Sequence, residues 1–169
     1  GVVGIIIASV NLTSFGSTLT AAITQVGAGS LFLTLFFTMI ASIILGMGLP
    51  SIPAYIITAT MAAPALAEFG VPILVAHLFV FYFGIFANIT PPVALASFAA
   101  AGLSGGNAMT TSLISVRLAI AGFMVPYLFA YQPALLMVDT SNIATNATEF
   151  PMAPISTIIT VAIISIVGV

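Results

Sequence analysis

Gly46-Met47-Gly48-Leu49-Pro50-Ser51-Ile52-Pro53 is the stretch from which the architecture of this chain can be worked out. Apolar sequence runs into it from Leu31 and out of it to about Leu66. The stretch itself cannot continue a regular helix. Gly46 and Gly48 weaken the helical turn, and Pro50 and Pro53 each lack a backbone N–H. It carries no charge, which is unusual for a turn lying in water between two helices. A second break follows at Ile89-Thr90-Pro91-Pro92, where the residue before a proline is pushed away from helical geometry. Main chain broken at membrane depth is tolerated only where it is buried in protein or lines a cavity.

Composition sets the class. Of 169 residues, 62% are hydrophobic and 2% are charged, against about 25% charged in an ordinary soluble domain. One Lys or Arg and three acids cannot cover a soluble fold, so the chain reads as an all-α integral membrane protein. Nucleic acid is excluded as a partner because no basic patch exists to neutralise phosphates. The chain has no Cys, which removes disulfides, thiolate metal sites and Cys nucleophiles. No charged n-region or small-residue cleavage site precedes the first apolar run, so no signal peptide is read. The chain opens at Gly1 and closes at Val169 inside an apolar run. Both ends read as cut, and the remainder of a longer membrane chain is expected around it.

Taken in order, residues 2–26 predict one helix long enough to span, made polar by Asn11, Thr13, Ser14, Thr18 and Thr20. Those hydroxyls are expected to bond back to their own helix or to a neighbour. Residues 31–46 predict a strongly apolar helix with Phe32, Phe36 and Phe37. After the glycine–proline corner a helix from Ala54 to about Ala67 follows, ended by Glu68-Phe69-Gly70-Val71-Pro72. Two readings fit residues 31–69: two full spans with a greasy loop, or a re-entrant hairpin whose tip is Gly46 to Pro53. The uncharged tip, and Pro64 close to the end of the return limb, favour the hairpin.

Residues 72–103 would make a straight helix of ~48 Å, well beyond a hydrocarbon core of about 30 Å. The Thr90-Pro91-Pro92 break resolves the excess. Its second half is rich in small residues, from Ala94 to Gly102, which allows close helix packing. Residues 108–137 predict another span with Arg117 near its start and Pro126 in its middle. A polar loop then covers residues 138–150, and residues 151–169 begin one more membrane helix. Arg117 is the only Lys or Arg, so the positive-inside rule puts the turn at 103–107 in the cytoplasm. Glu68, Asp139 and Glu149 then lie outside. Arg117 itself is expected to snorkel to the cytoplasmic interface. His77 is expected to be a neutral residue satisfied by a neighbour, with a proton-coupling role as the sharper alternative.

Two uncharged breaks flanked by apolar helix are the sequence pattern of a transporter's binding site. An ordered series of stretches carries a resemblance as well. It comprises Gly46-Met47-Gly48-Leu49-Pro50, Pro64 to Pro72, Ala76 to Phe83, Ile89-Thr90-Pro91-Pro92-Val93-Ala94-Leu95-Ala96, Ala100-Ala101-Gly102 and Pro126 to Leu136. Together they resemble the large membrane subunit of tripartite ATP-independent periplasmic (TRAP) transporters, in particular the fused permeases that work with TAXI-type binding proteins. The resemblance covers residues 1–137. It implies a permease of the bacterial inner membrane with an elevator mechanism. Its inverted repeats would each be built from a re-entrant hairpin and a broken helix, and this chain would hold the second. It further implies import of a small organic acid delivered by a periplasmic binding protein and coupled to Na⁺, or to H⁺ in some members. The family often has Thr-Thr-Ala-Ala after Leu-Pro. Here Ser51-Ile52-Pro53-Ala54 keeps one hydroxyl and loses the other.

Na⁺ prefers hard oxygen ligands, and a broken helix frees carbonyls. Gly46, Met47 and Gly48 offer such carbonyls, and Asn88 and Thr90 add side-chain oxygens; these five are the candidate cation ligands. An anionic substrate favours free N–H groups at half-helix N-termini. The half-helices starting after Ser51 and after Pro92 supply them, which makes Ser51, Thr90, Pro91 and Pro92 the candidate substrate contacts. No cofactor or metal is called for beyond the coupling ion. An intramembrane enzyme would need a Ser–His pair, paired carboxylates or metal ligands, and the chain has one His and acids only near loops. The remaining alternatives are a structural membrane subunit and a different carrier of the ion-transporter superfamily.

Overall fold

A computed structural model describes residues 2–27, 29–138 and 154–167. The first predicted span is two helices, α1 (Val2–Leu12) and α2 (Phe15–Gly27), meeting at 62°. The one helix expected over residues 2–26 is therefore a bent pair. The hydroxyl cluster at the joint accounts for the bend. Thr13 Oγ1 donates to the carbonyls of Ser9 and Val10, Ser17 Oγ and Thr18 Oγ1 both donate to Ser14 O, and Ser14 takes φ 53°. Side chains that compete for helical carbonyls bend helices. Thr20 makes the expected bond to a neighbour, donating to Met61 O at 3.2 Å.

The corner at Gly46–Pro53 turns the chain back on itself. Helix α3 (Leu31–Gly46) runs into it, and α4 (Ser51–Met61) and α5 (Ala63–Ala67) run out, with α4 and α5 both packed on α3. At ~1.5 Å per residue α3 is shorter than a hydrocarbon core, and α4 shorter still. No single helix among the described residues is long and apolar enough to cross a membrane. The return limb begins at Ser51, three residues earlier than predicted. Pro50 caps it in extended geometry, and Pro53 falls in the first turn, where a missing N–H removes no hydrogen bond. The limb is also interrupted at Ala62, because Pro64 cannot donate to Thr60 and its ring crowds that carbonyl. Gly70, at φ 76°, closes the limb, with the N–H groups of Gly70 and Val71 returned to Ala67 O and Leu66 O.

The long helix expected over residues 72–103 is broken into α6 (Ile73–Phe86) and α7 (Leu95–Ser104). The break extends to Ala94, so α7 starts later than the predicted point after Pro92. Pro91–Pro92 is a cis bond, and Ala94 takes φ 27°. The turn after α7 follows expectation. Gly105 is left-handed, and Asn107 caps α8 (Ala108–Leu118) by accepting the Thr110 N–H at 3.0 Å. The predicted span 108–137 bends by 44° into α9 (Ile120–Tyr131), at Ala119 and not at Pro126. Ala119 shares its N–H between the carbonyls of Ser115 and Arg117, a tightened turn that redirects the axis. Pro126 lies buried inside α9. A 3-10 turn at Pro133–Leu136 follows, and α10 (Ile155–Val167) leans against it. The loop expected at 138–150 lies, from Asp139 on, outside the described residues.

Helix α6 is the hub, packed against α3, α4, α5 and α9. Its two flanks are unlike. Toward α9 it presents rings: Phe83 packs on Phe79, Phe123 and Tyr127 at centroid separations of 4.9, 5.8 and 6.1 Å, and Phe86 meets Phe123 edge-on at 4.8 Å. Toward the hairpin it presents Gly84. Between helices in lipid the hydrophobic effect adds little, and close packing does most of the holding.

Candidate functional site

The hairpin tip and the helix break lie against each other. A methyl group on Gly46 would collide with the Gly84 carbonyl oxygen and sit 2.9 Å from Gly84 Cα, so the two backbones touch. On its other side Gly84 is in ordinary contact with α4, where its Cβ would lie 3.4 Å from Thr58 Cγ2. Two residues further on, Gly48 reaches the residue after the double proline. A Cβ there would lie 3.5 Å from Val93 Cγ1, and the φ of 75° suits glycine alone.

Four helix ends meet at this junction. The C-termini of α3 and α6 stop at it, and the N-termini of α4 and α7 start from it. Helix C-termini favour cations and N-termini favour anions, so the crossing offers both polarities without a charged side chain. The breaks also free main-chain groups. The Asn88 N–H turns to Ile85 O at 2.9 Å, which leaves the Gly84 carbonyl without its usual helical donor. The carbonyls of Met47 and Gly48 accept no backbone N–H among the described residues, whereas Gly46 O accepts the Leu49 N–H at 3.3 Å. At the start of α4 the N–H groups of Ser51 and Ile52 have no preceding turn to bond.

The structure brings Gly46 and Gly48 to the break and places Met47 between them. Asn88 and Thr90 lie half-buried inside the break. Asn88 Nδ2 donates to Ile85 O at 3.2 Å, and Thr90 Oγ1 donates to Phe86 O at 2.8 Å. Both side-chain oxygens keep lone pairs. The Asn88 carbonyl accepts the Ala96 N–H at 3.0 Å and so staples the two halves of the helix across the gap. Ser51 is exposed at the head of α4 and shares no hydrogen bond with Thr90. Pro91 is half-buried and Pro92 exposed.

His77 stands apart, on α6, with its Nδ1 3.0 Å from the Tyr55 hydroxyl of α4. It has the neighbour that the sequence called for, though nothing in the sequence named Tyr55. Arg117 is exposed in the last turn of α8, further along its helix than expected. Among the described residues no group of three His, Cys, Asp or Glu gathers to hold a metal. Sequence reasoning missed Gly84 and Val93, and it missed Thr38 and Ser42, two fully buried hydroxyls on α3 without a hydrogen-bond partner. The signal for the last two was the i, i+4 series Thr34, Thr38, Ser42, Gly46, hidden behind the phenylalanines of the same helix.

Compared with known families, residues 1–143 match the family described as Tripartite ATP-independent periplasmic transporter, DctM component. No curated protein and no solved structure matches the chain.

Proposed function

Because the chain belongs to the DctM component family of tripartite ATP-independent periplasmic transporters, and is thus part of a secondary transporter and not of an enzyme family, we propose that the tip–break junction is its ion and substrate site. The family places the chain in the inner membrane, with a periplasmic binding protein and a small subunit as partners. The cargo in this reading is a small organic anion handed over by a TAXI-type binding protein, and Na⁺ drives its import, with H⁺ as the alternative coupling ion. The carbonyls of Met47 and Gly48, with Gly46 beside them and the side-chain oxygens of Asn88 and Thr90, take the cation. The N-termini of α4 and α7, with Ser51, Thr90 and the turn at Pro91 and Pro92, take the carboxylate.

One observation carries this reading: the backbone contact of Gly46 with Gly84 joins two freed ends of main chain where no charged residue stands. Close glycine packing alone would serve a structural subunit too, but it would not call for freed carbonyls and N–H groups at the same point. Uptake by the Thr90→Ala permease, titrated with Na⁺, tests it. The expected result is a half-saturating Na⁺ concentration raised about tenfold, equivalent to about 1.4 kcal/mol. Unchanged Na⁺ dependence would remove Thr90 from the site.

A further inference from the structure

Seven polar side chains are buried among the described residues, and all are hydroxyls. Three follow the helical habit of donating to a carbonyl three or four residues back, and Thr20 Oγ1 donates across to Met61 O. Thr34 Oγ1 donates to Ser30 O at 3.0 Å, Thr58 Oγ1 to Ala54 O at 3.0 Å and Ser112 Oγ to Met109 O at 2.9 Å. Ser97 Oγ on α7 has no partner, and neither have Thr38 Oγ1 and Ser42 Oγ on α3, although Thr38 and Ser42 are both fully buried and both sit mid-helix with such carbonyls within reach. They are one turn apart, and Gly46, one turn further along the same row, faces Gly84 of α6. The row therefore looks into the seam that α3 forms with α6 and α4.

We propose that Thr38 and Ser42 jointly hold one buried water molecule in that seam. Residues at i and i+4 have Cβ atoms about 5–6 Å apart, which two O–H···O bonds of about 2.8 Å each can bridge. A buried hydroxyl left unmade costs about 1–3 kcal/mol, and buried water making two to four hydrogen bonds is the usual remedy. A cation stripped of its hydration would need more oxygens than this pair supplies. The site is separate from the tip–break junction and does not depend on the function assigned there.

A melting-temperature cycle in the permease, reconstituted in nanodiscs, tests the site. Thr38→Val and Ser42→Ala each take one arm from the water and strand the other, so each lowers the midpoint by about 2–4 °C. The double variant lowers it no further than the worse single one. If each substitution instead raises the midpoint and the two gains add, the hydroxyls are independent and dry, and the proposal is overturned. It is equally overturned if Na⁺, but not choline, raises the wild-type midpoint and Thr38→Val abolishes that rise, since the ligand is then a cation. A high-resolution map of the unmutated permease gives a check free of folding effects: ordered density between Thr38 Oγ1 and Ser42 Oγ is expected, and its absence refutes the water.

Discussion

The two flanks of α6 hold their neighbours by different means. Toward α9 the contact is a set of interlocked rings around Phe79, Phe83 and Tyr127, with the Tyr127 hydroxyl donating to Met39 Sδ at 3.3 Å. Toward the hairpin the corner meets α6 glycine on glycine, with buried hydroxyls of α3 and α4 nearby and the Tyr55 ring edge-on to Phe81 further along. The aromatic flank is built to stay filled. The glycine flank brings main chain to main chain, at the junction proposed as the site.

The largest effect that can break this contrast is expected from Phe83→Ala. Removing a fully buried ring costs about 3–5 kcal/mol, read as a lower melting temperature, while the half-saturating Na⁺ concentration of the surviving protein stays within twofold. A large shift in Na⁺ affinity would show that the flanks are not separate. Gly46→Ala comes next. Its methyl group collides with the Gly84 backbone, and overpacking of this kind costs about 1–3 kcal/mol. Here uptake is expected to fall more than tenfold, because the displaced parts belong to the proposed site. Tyr55→Phe removes the bond to His77 and is expected to cost about 0.5–1.5 kcal/mol in thermal stability, with Na⁺ affinity unchanged. The smallest effect belongs to Ala94→Gly. It relieves a φ of 27° but gives up a buried methyl group, and the two nearly cancel, leaving a stability change within about 1 kcal/mol.

Local backbone rules made much of this visible in the sequence. Pro50, Pro53, Pro91 and Pro92 restrict their own neighbourhoods whatever surrounds them, so the corner and the break fell where expected, and Gly105 with Asn107 marked the following turn. Partners across space were harder. Gly84 has no distinguishing local signature in an apolar helix, and its meaning comes only from Gly46, 38 positions earlier. The Tyr55–His77 pair spans 22 positions. The bends at Ser14 and Ala119 arise where hydroxyls or a shared N–H compete for carbonyls, a choice that composition does not announce. Pro126 lies mid-helix as expected, and α9 stays helical across it.

The staple from Asn88 to Ala96 ties the two arms of the split helix into one lever, while no hydrogen bond joins that lever to the corner of the hairpin. Lifting the corner away therefore breaks touching surfaces and no directional bond, and the tyrosine–histidine link lower down is, among the described residues, the one side-chain hydrogen bond between α4 and α6. At the corner the two parts are therefore registered by shape and not by directional bonds.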